Sequence, residues 1–168
     1  MANETRAIDV SELSSLTLLA LHGKIAEELR SRGITRTLNN PVGDLAEYLF
    51  CKAFGWQQAN NSHARVDAVD SEGIRYQIKG RRITTGNKSR QLGAIRDLSG
   101  AHFEYLAGVL FNENYEIVKA ALIPCAVVVE RATFVANTNS HKFLLRDDVW
   151  QASGVRDVTV ELRRVIVG

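Results

Sequence analysis

The segment Arg65-Val-Asp67-Ala-Val-Asp70-Ser-Glu-Gly73-Ile-Arg-Tyr-Gln77-Ile-Lys79-Gly80 constrains the fold more than any other stretch of the chain. Two alternating runs flank the turn signal Ser71-Glu72-Gly73, a pattern that predicts two antiparallel strands joined by a tight turn. Side chains along a strand alternate between faces, so Gln77 and Lys79 point one way and Ile78 the other. Asp67 stands near the start of the first strand, and the hairpin can bring it onto the face of Gln77 and Lys79. An acid, an amide oxygen and an ammonium would then share one small volume. That set suits a divalent cation beside a phosphate.

Helices are expected upstream. Ser11 to Ser31 reads as one, with Ser11 as N-cap, Glu12 in the first turn and a stripe of Leu18, Leu21, Ile25 and Leu29. Gly33 stops it. A second helix starts near Pro41, with Asn40 as cap. Its apolar positions Val42, Leu45, Ala46, Leu49, Phe50, Ala53 and Phe54 recur at spacings of three and four, and Gly55 closes it. Glu47 lies at the margin of this stripe, where a carboxylate is half-buried or faces a groove.

Downstream, residues 80–101 read as a basic, glycine-dotted loop with a short helical piece around Leu92–Leu98. Phe103–Phe111 and Tyr115–Ile123 read as strands joined by the turn Asn112-Glu-Asn114. Pro124–Arg131 reads as a helix with proline at its first position, although Val127–Val129 favours a strand by propensity. Phe143–Leu145 and Val158–Val165 are weaker strand or helix candidates. The order predicts a mixed α/β (α+β) single domain spanning residues 1–168, with residues 1–37 as an N-terminal helical segment.

At 168 residues the chain is long enough to bury a core. The net charge of +2 argues for no particular partner, but its distribution does. Arg75, Lys79, Arg81, Arg82, Lys88, Arg90 and Arg96 follow one another with no acidic residue between Arg75 and Arg96. Arg75, Arg81, Arg82, Lys88 and Arg90 are the expected phosphate-facing residues, a solvated loop being the plain alternative. Cys51 and Cys125, the only cysteines, supply neither a disulfide framework nor a zinc site and read as small buried hydrophobes. His22, His102 and His141 lack metal-ligand spacing, and His63 is within reach of a substrate phosphate at most. The opening Met-Ala-Asn-Glu-Thr-Arg is no signal peptide and no run matches a membrane span, so a cytoplasmic protein without membrane attachment is expected.

Each candidate has an ordinary meaning when taken alone: a turn-capping Asp, an alternating edge strand, a surface Glu. Together they resemble the PD-(D/E)xK superfamily, the restriction-endonuclease-like fold, over residues 39–82. Gly43-x-x-x-Glu47 is similar to the helix-borne glutamate of the Holliday-junction-resolvase branch. Val66-Asp67 is similar to the metal-binding aspartate, and Gln77-Ile78-Lys79 to the (D/E)xK tripeptide. The resemblance implies a mixed central sheet flanked by helices, with residues 39–168 as a nuclease-like core. It implies Mg²⁺ or Mn²⁺ held by Glu47, Asp67, Gln77 and the Ile78 carbonyl, with Lys79 completing the catalytic set of Glu47, Asp67 and Gln77. Lys79 would stabilise developing phosphorane charge and orient water, and Arg81 and Arg82 would clamp DNA phosphates.

Two positions depart from that pattern. Val66 stands where the superfamily has proline, a mild change. Gln77 stands where it has an acid, and this removes a charge. One unit charge at ~4 Å is worth about 4 kcal/mol at an effective dielectric of ~20, before desolvation and screening. Glu47 supplies a second carboxylate in compensation. The reading is therefore a small metal-dependent deoxyribonuclease, with two rivals. One is the same fold without catalysis, binding DNA or a protein. The other is an interaction domain of toxin–antitoxin type. A homodimer is a further implication of the resemblance, with Val127–Val129 and Val158–Val165 as its apolar candidates.

Overall fold

A helix with a long apolar stripe and a short polar hairpin dictate how this chain layers. The computed structural model describes residues 8–60, 65–100, 102–165 and 167. The helices are α1 (Ser15–Ser31), α2 (Val42–Phe54), α3 (Cys125–Arg131) and α4 (Thr159–Arg163). The strands are β1 (Gln57–Gln58), β2 (Ala68–Val69), β3 (Arg75–Arg82), β4 (Tyr105–Phe111), β5 (Ile117–Pro124), β6 (Thr133–Val135), β7 (Ser140–Lys142) and β8 (Arg156–Asp157).

Six strands form one sheet in the order β1-β2-β3-β4-β5-β8, and β6 pairs with β7 apart from it. β1, β2 and β3 make an antiparallel meander. β3 and β4 run parallel, and β4, β5 and β8 return to antiparallel pairing. The fold is thus mixed α+β with a mixed central sheet.

The two sheet faces carry separate cores. On one face α2 lays Leu45, Ala46, Leu49 and Phe50 against Tyr76, Ile78, Ala107, Val109 and Phe111. Trp56 stacks between Phe50, with centroids 5.8 Å apart, and Tyr76, 3.7 Å apart. On the other face Leu106, Leu110, Ala121 and Ile123 meet Leu92, Ile95, Phe103, Val128, Phe143 and Leu145. A parallel pair needs a crossover, and residues 83–104 make it. Their buried Leu92, Ile95 and Leu98 form the floor of the second core.

Several boundaries differ from expectation. α1 starts at Ser15, because Ser14 is the residue whose Oγ accepts the Thr17 N–H, at 3.1 Å. Ser11 lies outside the helix, its N–H given to Asp9 Oδ1. The stretch Leu92–Leu98 is not helical. It forms extended bridges from Gln91 to Leu144 and from Ile95 to His141, and a 3-10 turn occupies Leu98–Gly100. Burial of Leu92, Ile95 and Leu98 mimics helical spacing, but these side chains point into one floor from an extended chain. β4 starts at Tyr105 and β5 at Ile117, since Tyr115 sits in the turn with φ of 62°. Pro124 precedes α3, so proline outweighs the strand propensity of Val127–Val129. Phe143–Leu145 is irregular apart from the Leu144 bridge, and Val158–Val165 contains α4. Val127, Val128 and Val158 are core residues and leave Val129 and Val160 as the exposed hydrophobic residues of those runs. Among the described residues no helix is long and apolar enough to cross a membrane.

Candidate active site

The β2–β3 turn is set by Asp70. Its Oδ1 accepts the N–H groups of Glu72 and Ile74, both at 2.9 Å, and its Oδ2 accepts the Tyr76 hydroxyl at 2.9 Å. Gly73 takes φ of 84° in the same turn, a conformation side chains rarely adopt. The register then follows: Val69 opposes Arg75 and Ala68 opposes Tyr76.

Asp67 stands one residue before β2 and is fixed three times. Its N–H donates to the Tyr76 carbonyl at 2.8 Å and its carbonyl accepts the Ala59 N–H at 2.9 Å. Its Oδ2 accepts the Ile78 N–H at 2.6 Å. The carboxylate therefore takes the place of the next ladder carbonyl. It lies at the strand edge, rather than joining Gln77 and Lys79 on their face. In an extended strand the N–H and C=O of one residue point to the same side, so the Ile78 carbonyl faces this edge too. No β2 residue is paired with Ile78.

Alternation along β3 is clear from its neighbours. Tyr76 and Ile78 belong to the α2 core, and Gly80 lies so close to α2 that a Cβ there would stand 3.0 Å from the Val42 carbonyl oxygen. Gln77 and Lys79 point to the opposite face, beside Leu106 and Gly108 of β4. Gln77 is 4% exposed, and its Oε1 has no hydrogen-bond partner among the described residues. A buried amide oxygen in that state is costly and calls for an occupant. Lys79 is half-buried along Gly93, where a Cβ would meet its Cδ at 3.6 Å.

Glu47 approaches from α2, with its side chain 14% exposed. Its Oε2 accepts from both Arg36 Nη2 and Gln58 Nε2, the latter at 2.6 Å. Burial pushes the Glu47 carboxyl above its usual range, and the negative charge of Asp67 adds to this, while Gln58 and Arg36 oppose it. Glu47 and Asp67 are thus electrostatic neighbours. Arg36 is held by its backbone. Asp44 Oδ2, one turn before Glu47, accepts the N–H groups of Arg36 (2.9 Å) and Thr37 (2.8 Å) and the Thr37 hydroxyl (2.9 Å). Arg36 and Gln58 carry no sequence signal: one lies in a loop, the other in a two-residue strand.

The oxygens of Glu47, Asp67, Gln77 and Ile78 are the donor type hard divalent cations take. The unpartnered Gln77 Oε1 is the observation that fits such an occupant. Among the described residues no group of three or more His, Cys, Asp or Glu gathers to hold a metal, so any cation here relies on amide and carbonyl oxygens.

The basic residues divide. Arg75 is tied to Glu104, to which its backbone N–H also donates at 2.7 Å, and Arg90 pairs with Asp147 at 2.9 Å. Arg81 donates to the Ser89 carbonyl at 3.2 Å. Arg82 donates to the Glu113 carbonyl and stacks over Tyr115, 4.4 Å from its centroid. Arg81 and Arg82 line a groove of about 440 Å³ with Asn40, Gly43, Gly80, Thr84 and Asn87, at the start of α2. Lys88 is exposed nearby. His102 is engaged with Asp97 and Arg65, and His63 lies outside the described residues. No protein-family model matches the chain, and no curated protein matches it.

Proposed function

We propose that the protein is a metal-dependent deoxyribonuclease with a restriction-endonuclease-like core. The observation that carries this reading is the electrostatic coupling of Glu47 to Asp67, whose carboxylate holds the Ile78 N–H, with a buried Gln77 Oε1 left unpartnered on the other face of the same strand. A helix followed by a hairpin, within a mixed sheet flanked by helices, is what the resemblance leads one to expect, and the chain has those elements in that order.

Mg²⁺ or Mn²⁺, when bound, would supply Lewis acidity at a phosphoryl oxygen. The residues do the rest. Asp67 is oriented in advance by the Ile78 N–H, so it loses little freedom on taking a ligand. Lys79 offers a cation to charge that develops on phosphate. Arg81 and Arg82 border the groove that would hold the DNA backbone by charge-assisted hydrogen bonds, and the neighbouring Lys88 is exposed.

The second reading, a DNA-binding module without catalysis, is favoured by one fact: Gln77 brings no charge to the site. A cleavage assay on supercoiled and branched DNA with Mn²⁺ and then Mg²⁺ separates the two. Cleavage by the wild type that disappears in Asp67→Ala, with the fold retained, is the expected result. Cleavage that persists in Asp67→Ala refutes the site. A silent wild type with an active Gln77→Glu variant selects the non-catalytic module.

A further inference from the structure

We propose that Arg36 is the phosphate-holding arginine of this site, kept on Glu47 and transferred to a substrate phosphate when a divalent cation takes that carboxylate. The inference rests on the metal-dependent reading above and adds how substrate and cation are coupled.

Arg36 Nη2 and Gln58 Nε2 both donate to Glu47 Oε2. A cation on the same carboxylate would face the guanidinium at close range, and two positive charges there repel. Gln58 is neutral and can stay. Arg36 is also the member built to leave. Its side chain is 37% exposed, while the loop beneath it is bolted to Asp44 through the backbone N–H groups of Arg36 and Thr37 and the Thr37 hydroxyl. The side chain can swing without the loop moving.

Charge points the same way. Arg36 is the cation that acts on Glu47, whose other charged neighbours are the carboxylates of Asp67 and Asp44. A divalent ion on Glu47 takes over the role of that guanidinium and frees it. A freed guanidinium presents a planar fork suited to two phosphate oxygens, which the compact Lys79 ammonium does not. Cation and phosphate should therefore strengthen each other's binding, and by linkage equally.

The test is Mn²⁺ binding, followed by electron paramagnetic resonance of the free ion, with and without a phosphorothioate DNA duplex that resists hydrolysis. Wild type, Arg36→Ala and Arg36→Gln are compared, the last keeping a neutral donor to Glu47 should the alanine variant fail to fold. Without DNA, both variants are expected to bind Mn²⁺ about tenfold more tightly than wild type, since they remove the competing charge. The gain in Mn²⁺ affinity that DNA confers on wild type should shrink severalfold in both. Unchanged Mn²⁺ affinity in folded variants, or undiminished coupling to DNA, overturns the role of Arg36 and leaves the metal site standing. Absence of Mn²⁺ binding in wild type and variants alike overturns the metal reading itself, and this proposal with it.

Discussion

α1 and α2 carry apolar stripes of similar design and meet opposite fates. α2 buries Leu45, Ala46, Leu49 and Phe50 against the sheet. α1 buries no residue at all, and Leu16 and Leu19 remain 78% and 69% exposed. Periodicity thus reports that a helix has a face. Whether that face has a partner depends on the rest of the chain, and a helix gains most of its stability from such packing. For α2 the partner is β3, reached within the same helix–turn–hairpin stretch. For α1 the C-terminal half alone comes near the body: His22, Ile25 and Ala26 border a pocket with Pro41 and Tyr115, and Leu29 packs against the first core, its carbonyl accepting the Ile34 N–H at 3.0 Å.

The sharpest way to break this contrast is to empty the buried face. Phe50 is fully buried, and its ring stacks with those of Phe54 and Trp56. Phe50→Ala should cost about 3–5 kcal/mol, because lost transfer energy and a residual cavity add. Urea denaturation measures it through the shift of the midpoint. A loss below about 1 kcal/mol would mean that α2 is not the anchor of the first core.

The next effect probes how tightly α2 sits on the site strand. A Cβ at Gly80 would lie 3.0 Å from both Val42 Cγ1 and the Val42 carbonyl oxygen, and 3.1 Å from Ala46 Cβ. A helix backbone cannot yield as a flexible side chain can. Gly80→Ala should therefore cost about 1–3 kcal/mol by overpacking. It should also weaken Mn²⁺ binding, since pushing α2 outward carries Glu47 away from Asp67. A variant as stable as wild type would show that the helix has slack over β3.

How much of this was legible in the sequence follows from the same contrast. The α2 boundaries, the Asp70 turn and the alternation of Gln77 and Lys79 rest on local rules: caps, glycine conformation and two-residue periodicity. The turn, the alternation and the end of α2 at Gly55, with φ of 67°, appear where expected, whereas Pro41 takes the N-cap place expected of Asn40 and α2 starts at Val42. The extended Leu92–Leu98 stretch was illegible, because its shape comes from pairing with Leu144 and His141, some fifty residues away. Within the candidate site, Glu47 and Asp67 were readable as types of residue. Their partners were not: Arg36 reaches Glu47 from a loop, and the carboxylate of Asp67 sits on the Ile78 N–H rather than on the Gln77 face.

Cys51 offers a chemical probe of the same interface. Burial, with a smaller contribution from the Glu47 charge, pushes its thiol up to about 11. An ordinary thiol ionises near 8.5, so at pH 8 the native protein holds far less thiolate there than the unfolded chain does. Reaction with a disulfide reagent at pH 8 should be more than tenfold slower in the native state than in urea. It should climb with pH toward 11 instead of levelling off near 9. Fast native reaction would place Cys51 outside the packed face of α2.

The smallest effect belongs to α1. Leu16→Ser and Leu19→Ser alter side chains that already face water, so each should move the global unfolding midpoint by less than about 0.5 kcal/mol. Ser14→Ala removes the hydroxyl that caps the Thr17 N–H and should fray the first turn, lowering helical circular dichroism slightly at an unchanged midpoint. If instead either leucine variant lowers the midpoint by 1 kcal/mol or more, and does so increasingly at high protein concentration, the face of α1 that carries Leu16 and Leu19 is covered in solution by a second copy. The two helices would then differ only in whether their partner lies in the same chain.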